Sequence, residues 1–135
     1  MSKQFFLYTD GACRGNPGKA GGGAVLYNEN MEEIASVFEY FGITTNNVSE
    51  YRALIMGLEM CKQRDIHPTN LNIRADSMLV VNHINGIWKC RHPNLIPLLQ
   101  LIKLSGPFKT VEHVYRNANK RADALANEAV DSISI

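Results

Sequence analysis

The chain has 135 residues, 45% of them hydrophobic and 20% charged, which is the balance of a globular protein able to fold without disulfides or a structural metal. Fourteen Lys and Arg against thirteen Asp and Glu leave a formal charge of +1, so affinity for a polyanion has to come from local clusters and not from the total. No apolar run reaches the ~18 residues of a membrane span. Cys13, Cys61 and Cys90 form no C-x-x-C pair, and an odd count suits a reducing compartment better than a disulfide or zinc framework. With no apolar leader after Met1, the expectation is one cytoplasmic domain over 1–135 without membrane association.

In chain order, residues 4–10 are a short apolar run suited to a central strand, and the glycine-rich stretch Gly11-Ala12-Cys13-Arg14-Gly15-Asn16-Pro17-Gly18 is expected to turn the chain back. Segments 21–28 and 33–41 alternate as two further strands, joined as a hairpin across 28–32. From 47 to 63 the period becomes helical: Leu54, Ile55, Leu58 and Cys61 form one stripe, and Glu50 stands on its side one turn earlier, pointing inward. His67-Pro68-Thr69-Asn70 ends that helix, and 71–75 is a strand running into Asp76.

A helix over about 77–85 stops at Gly86. Asn94 reads as the cap of another, with Leu95, Leu98, Leu99 and Ile102 on one face and Ser105-Gly106-Pro107 at its end. Residues 108–115 make the fifth strand, in which His113 is read as a packing residue. The last helix, about 119–130, turns Ala122, Leu125, Ala126 and Ala129 inward, with Asp123 beside that face. The order βββαβα(α)βα requires a mixed sheet with helices packed on it, because strands joined through helices run parallel.

Four acids, Asp10, Glu50, Asp76 and Asp123, fall where elements begin or end. Each alone has a structural reading: turn chemistry at Asp10-Gly11, a capping box from Asn47 to Glu50, an N-cap at Asp76, a helix-dipole contact at Asp123. Brought together they would form a carboxylate cage for hard divalent cations and a phosphodiester-cleaving centre. A P-loop is excluded, since a window ending at Gly18-Lys19 places Cys13 at the first glycine and Ala20 at the hydroxyl position.

The segments holding these acids, TDGACRGNPG, TNNVSEYRAL, ADSMLVV and NKRADALANEA, resemble in order and spacing the signature blocks of type 1 ribonuclease H, over about Phe5 to Val130. The resemblance implies an α/β fold with a five-stranded mixed sheet, its first three strands antiparallel, and helices on both faces. It also implies an endonuclease that uses two Mg²⁺ ions, with Mn²⁺ as a substitute, to hydrolyse the RNA strand of an RNA/DNA hybrid to 5′-phosphate and 3′-hydroxyl ends. Asp10 would bridge the ions, Asp123 would complete the site of the water-activating one, and Glu50 with Asp76 would hold the leaving-group one.

By the same resemblance Cys13, Asn16, Asn46 and Asn47 approach the minor groove of the hybrid, Thr45 helps hold a DNA-strand phosphate, and Arg116 stands where relatives place a mobile histidine. A guanidinium there can bind phosphate but cannot act as a base. Ile43 occupies a position where relatives often carry an arginine. In place of an inserted basic helix the chain has only Ile87-Trp88-Lys89-Cys90-Arg91-His92. The expectation is a compact monomer acting on RNA/DNA hybrid; a non-catalytic hybrid-binding module is the rival, and it has no need of four acids that repel phosphate.

Overall fold

The structure, a computed structural model, describes residues 3–133; residues 1, 2, 134 and 135, the ends of the expected 1–135 domain, lie outside the described residues. Five strands, β1 (Phe5–Gly15), β2 (Gly18–Tyr27), β3 (Glu33–Thr44), β4 (Leu71–Ala75) and β5 (Thr110–His113), form one sheet in the order β3-β2-β1-β4-β5. β1 pairs antiparallel with β2, and β2 with β3. β4 lies parallel to β1, and β5 parallel to β4. This is the expected mixed sheet. The glycine stretch differs from expectation: Gly11 to Gly15 continue β1, and the chain reverses only between Gly15 and Gly18. Small residues do not break the strand at Gly11 and Ala12, which face α1 and α4 at close range, whereas Gly15, with φ +93°, belongs to the reversal itself.

Helix α1 (Asn46–Gln63) carries the chain from β3 to β4, and α2 (Met78–Ile84) with α3 (Ile96–Leu104) carries it from β4 to β5. Leu7, Leu26, Leu54, Ile73, Leu95 and Ile102 make the larger core between these helices and one face of the sheet. Helix α4 (Lys120–Asp131) covers the other face, setting Ala122 and Leu125 against Val25, and Ala126 and Val130 against Ala12. β2 permits both approaches. A Cβ on Gly22 would sit 2.7 Å from the Ala53 Cβ of α1, and one on Gly23 2.6 Å from the Ala122 carbonyl of α4. Asn94 does not cap α3; Leu95 occupies the cap position without a side-chain bond, and Pro97 lies in the first turn, where its missing N–H costs nothing. Among the described residues no helix is long and apolar enough to cross a membrane.

Candidate active site

The parallel ladders place two acids side by side. Thr9 of β1 pairs with Ala75 of β4, and Ala75 pairs with His113 of β5. The next residue after that rung is Asp10 on one strand and Asp76 on its neighbour, at the carboxyl edge of the parallel strands where α/β sheets characteristically bind ligands. The third acid arrives from the helix. Gly11 lets β1 touch the first turns of α1, since a Cβ there would meet Ser49 Oγ at 2.5 Å and the Glu50 nitrogen at 2.7 Å. At that contact the Gly11 N–H donates to Glu50 Oε1. One carboxylate oxygen from each of Asp10, Glu50 and Asp76 lies within 4.8 Å of the other two. Asp123, in the first turn of α4, adds its carboxyl beside Asp10.

Three of the local readings of these acids fail. Asp10 lies within β1 and forms no turn. Thr45, and not Asn47, caps α1, its Oγ1 accepting from the Val48 N–H at 3.3 Å, so Glu50 completes no capping box. Ser77, and not Asp76, caps α2, with Oγ accepting from Val80 N–H at 3.3 Å. Asp123 keeps its place near a helix N-terminus, which suits an acid.

The cluster is electrostatically costly as it stands. Asp10 is 3% exposed. Burial, followed by the charges of Glu50 and Asp76, pushes its carboxyl up to about 10. Burial and then Asp76 push Glu50 up to about 8, against the Gly11 N–H, which favours the anion. Asp10 Oδ2 and Asp76 Oδ2 are buried with no hydrogen-bond partner. Buried carboxylate oxygens need a proton, a donor or a cation. Oxygen-only donors of this number and charge fit Mg²⁺ or Mn²⁺ and do not fit a soft metal.

Beside the acids, the two segments expected to meet substrate come together. Asn46 N–H donates to Asn16 Oδ1 at 3.0 Å, and Cys13 Sγ–H reaches the carbonyls of Gly15 and Thr44 at 2.6 and 3.3 Å. The β1–β2 hairpin and the start of α1 therefore form one surface, on which the Asn46 and Asn47 side chains are exposed. Thr45 lies in that surface with its hydroxyl engaged as the cap. Arg116 is exposed in the 3-10 turn Arg116–Ala118, which leads from the edge of β5 into α4. Ile43 is 69% exposed and Trp88 44%, so neither is a core residue.

Several residues that build the site went unrecognised in the sequence. Asn119 is buried, and its Nδ2 donates to the Thr9 carbonyl at 2.8 Å, fastening the start of α4 to the strand next to Asp10. Asn119 stands at the N-cap position of α4, one residue before the helix begins, and its side chain makes no cap bond. Asn127 Nδ2 donates to the Asp123 carbonyl and Oδ1 at 2.9 and 3.3 Å, and Arg14 donates to Asn127 Oδ1 at 2.8 Å. The i, i+4 spacing of Asp123 and Asn127 was the available signal for that pair. His113 packs on Tyr115 as expected, and its Nε2 also meets the Asp76 carbonyl at 3.2 Å.

Comparison with known proteins agrees with this geometry. A family described as "Reverse transcriptase-like" matches residues 8–129. The ribonuclease H of Prosthecochloris aestuarii is 36% identical over 149 residues, covering 96% of this chain and 97% of that protein. The chain belongs to the type 1 ribonuclease H family. A crystal structure of LC11-RNase H1 in complex with RNA/DNA hybrid superposes with a TM-score of 0.93 at 36% identity, covering 98% of this chain and 100% of the other. A bifunctional protein of Mycobacterium tuberculosis is 41% identical over 130 residues, which cover 93% of this chain and 35% of that one, so this chain spans about a third of the length of that relative.

Proposed function

We propose that this ribonuclease H is a metal-dependent endonuclease that hydrolyses the RNA strand of an RNA/DNA hybrid, leaving 5′-phosphate and 3′-hydroxyl ends. The observation that carries the reading is the crowding of Asp10, Glu50 and Asp76, with two of their oxygens buried and unpartnered. These acids and Asp123 would hold two Mg²⁺ ions, for which Mn²⁺ can substitute. Asp10, beside the other three, would be the ligand held in common, with Glu50 and Asp76 completing one site and Asp123 the other. Bound there, the ions supply activation of a water and stabilisation of the oxygen that leaves.

The chain's own residues do the rest. Gly11 N–H holds Glu50, and Asn127 holds Asp123, so these ligands are set before substrate arrives. Asn16, Asn46, Asn47 and Cys13 present amide and thiol groups that can both give and accept hydrogen bonds, which suits the 2′-hydroxyls in the wide minor groove of a hybrid. Thr45, its hydroxyl committed to the cap, holds the start of α1 toward a DNA-strand phosphate; with the Asn46 and Val48 N–H groups already bonded, the Asn47 N–H is the backbone donor on offer there. Arg116 is a fixed cation for a phosphate beside the acids, suited to holding substrate and releasing product. The proposal includes a monomer working in the cytoplasm without membrane association.

The test is incubation of end-labelled RNA/DNA hybrid, DNA duplex and RNA duplex with Mg²⁺, Mn²⁺ or EDTA. The RNA strand of the hybrid is cut with either ion and spared in EDTA. Efficient cutting of duplex DNA, or undiminished cutting in EDTA, overturns the reading. A hybrid-binding module without activity would bind in all three conditions and cut in none.

A further inference from the structure

We propose that His113 is a positioning residue for Asp76: its imidazole donates to the Asp76 carbonyl and so fixes where the carboxylate stands. The proposal rests on the reading of the acidic cluster as a divalent-cation site. The backbone ladder between β4 and β5 ends where the Val114 N–H donates to the Ala75 carbonyl at 2.9 Å. On the far side, α2 begins its own bonding at Ser77, whose carbonyl accepts from the Val81 N–H at 3.1 Å. The peptide carbonyl of Asp76 falls between these two systems. Among the described residues it takes one hydrogen bond, from His113 Nε2 at 3.2 Å.

Two of the other acids have their carboxylates tethered directly, and Asp10 lies within the central strand. Glu50 accepts from Gly11 N–H, and Asp123 accepts from Asn127 Nδ2. The Asp76 side chain has a buried Oδ2 with no partner, so its position depends on the backbone that carries it. The imidazole continues the ladder by one rung with a side-chain donor. Donation requires a proton on Nε2, which both the Nε2–H tautomer and the imidazolium supply, so the contact survives either charge state. The ring is itself braced edge-on by Tyr115, with centroids 5.3 Å apart at 84°. Groups that hold metal ligands from behind typically contribute about tenfold to a hundredfold in metal affinity.

Two substitutions separate hydrogen bonding from packing. His113→Phe keeps a flat ring against Tyr115 and loses the donor; His113→Gln keeps an N–H at similar reach and loses the ring. The readouts are the rise in melting temperature as Mg²⁺ or Mn²⁺ is titrated into the metal-free protein, and the Mg²⁺ dependence of hybrid cleavage. His113→Phe is expected to raise the half-saturating concentration of both ions about tenfold, leaving KM for hybrid at saturating ion unchanged. His113→Gln should stay within about threefold of wild type. A Phe variant that titrates like wild type overturns the proposal. So does a Gln variant weakened tenfold, which would make the ring, and not the donor, the feature that matters; this outcome is readable even if the Phe variant does not fold. If the wild-type protein is stabilised by neither ion, the cation site itself is refuted, and that result is distinct from a failure at His113.

Discussion

Replacing Asp10 by Asn should inactivate the enzyme and, in the absence of metal, make it more stable. Asparagine has nearly the shape of a protonated aspartic acid and cannot ionise. Asp10 has a folded-state carboxyl raised from 3.8 to about 10, chiefly by burial and then by Glu50 and Asp76. A carboxyl raised on folding binds its proton more tightly in the folded state than in the unfolded one, so stability is greatest below the unfolded value and falls as pH rises through the interval. At pH 7 the protein is about three units into that interval, which at about 1.4 kcal/mol per unit sets a ceiling of about 4 kcal/mol. Relaxation and water entry reduce it, leaving about 1–3 kcal/mol. For a domain of this size that is a rise in melting temperature of about 3–9 °C in EDTA at neutral pH.

The gain should shrink toward zero near pH 4 and widen at pH 8–9, and the slope of melting temperature against pH should be flatter for the variant. Mg²⁺ should raise the melting temperature of wild type and have a much smaller effect on Asp10→Asn. Thermal denaturation followed by circular dichroism at several pH values, with EDTA or Mg²⁺, measures all of this. A variant less stable than wild type in EDTA at pH 8 would falsify the account of the acidic cluster, and a variant that cleaves hybrid at a near-normal rate would remove Asp10 from the reaction.

The remaining predictions test other parts of the site. Asp123→Asn should be nearly inactive, while Arg116→Ala should keep measurable turnover with a higher KM or slower product release; equal, wild-type activity in both would show that the α4 start has been misassigned. Gly11→Ala should cost about 2–3 kcal/mol, because the added methyl meets backbone and not only a movable side chain, and it should lower kcat by shifting Glu50; unchanged urea unfolding would contradict the close approach. Changing Lys89 and Arg91 together to alanine should raise KM and flatten the dependence of binding on salt by about one to two units of log–log slope, with kcat preserved, and an unaltered salt slope would place the phosphate contacts elsewhere.

What could be read in the sequence follows from the range of the interactions involved. The helical stripe of α1 and the alternation in β3 are local periodicities, and they gave element type and approximate place; β2 is a strand as expected, but it begins at Gly18 and is buried on both faces, without the alternation read over 21–28. The strand boundaries were misjudged at Gly11–Gly15, because local turn propensity was given more weight than a packing requirement that exists only once α1 lies against β1. The acids were recognised as a group through family-like blocks, since nothing local distinguishes Asp76 from a cap. Only the ladder register, Thr9 with Ala75 and Ala75 with His113, explains why Asp10 and Asp76 emerge as neighbours. Asn119 was not legible for a related reason, since its partner is the Thr9 carbonyl far away in sequence; His113 packs on Tyr115 as read, but its contact with the distant Asp76 carbonyl has no local signal.

The same register accounts for the way the site is supported. Buried acids at this density oppose folding, first through burial and then through their mutual repulsion when ionised, so the carboxylates are held by elements whose stability comes from elsewhere. Asp10 is carried by the central strand, with α1 on one face and α4 on the other, and Thr9 beside it receives Asn119 from α4. Glu50 is fixed through a glycine that admits the α1 backbone, and Asp123 through Asn127, which Arg14 ties back to the β1–β2 hairpin. Asp76, one residue past the end of the five-residue β4, carries a buried Oδ2 without a partner, and among the described residues its carbonyl is held by His113 alone. A defect in cation binding should therefore appear first at Asp76, and substitutions around the β4–β5 edge should weaken ion affinity before they weaken the fold.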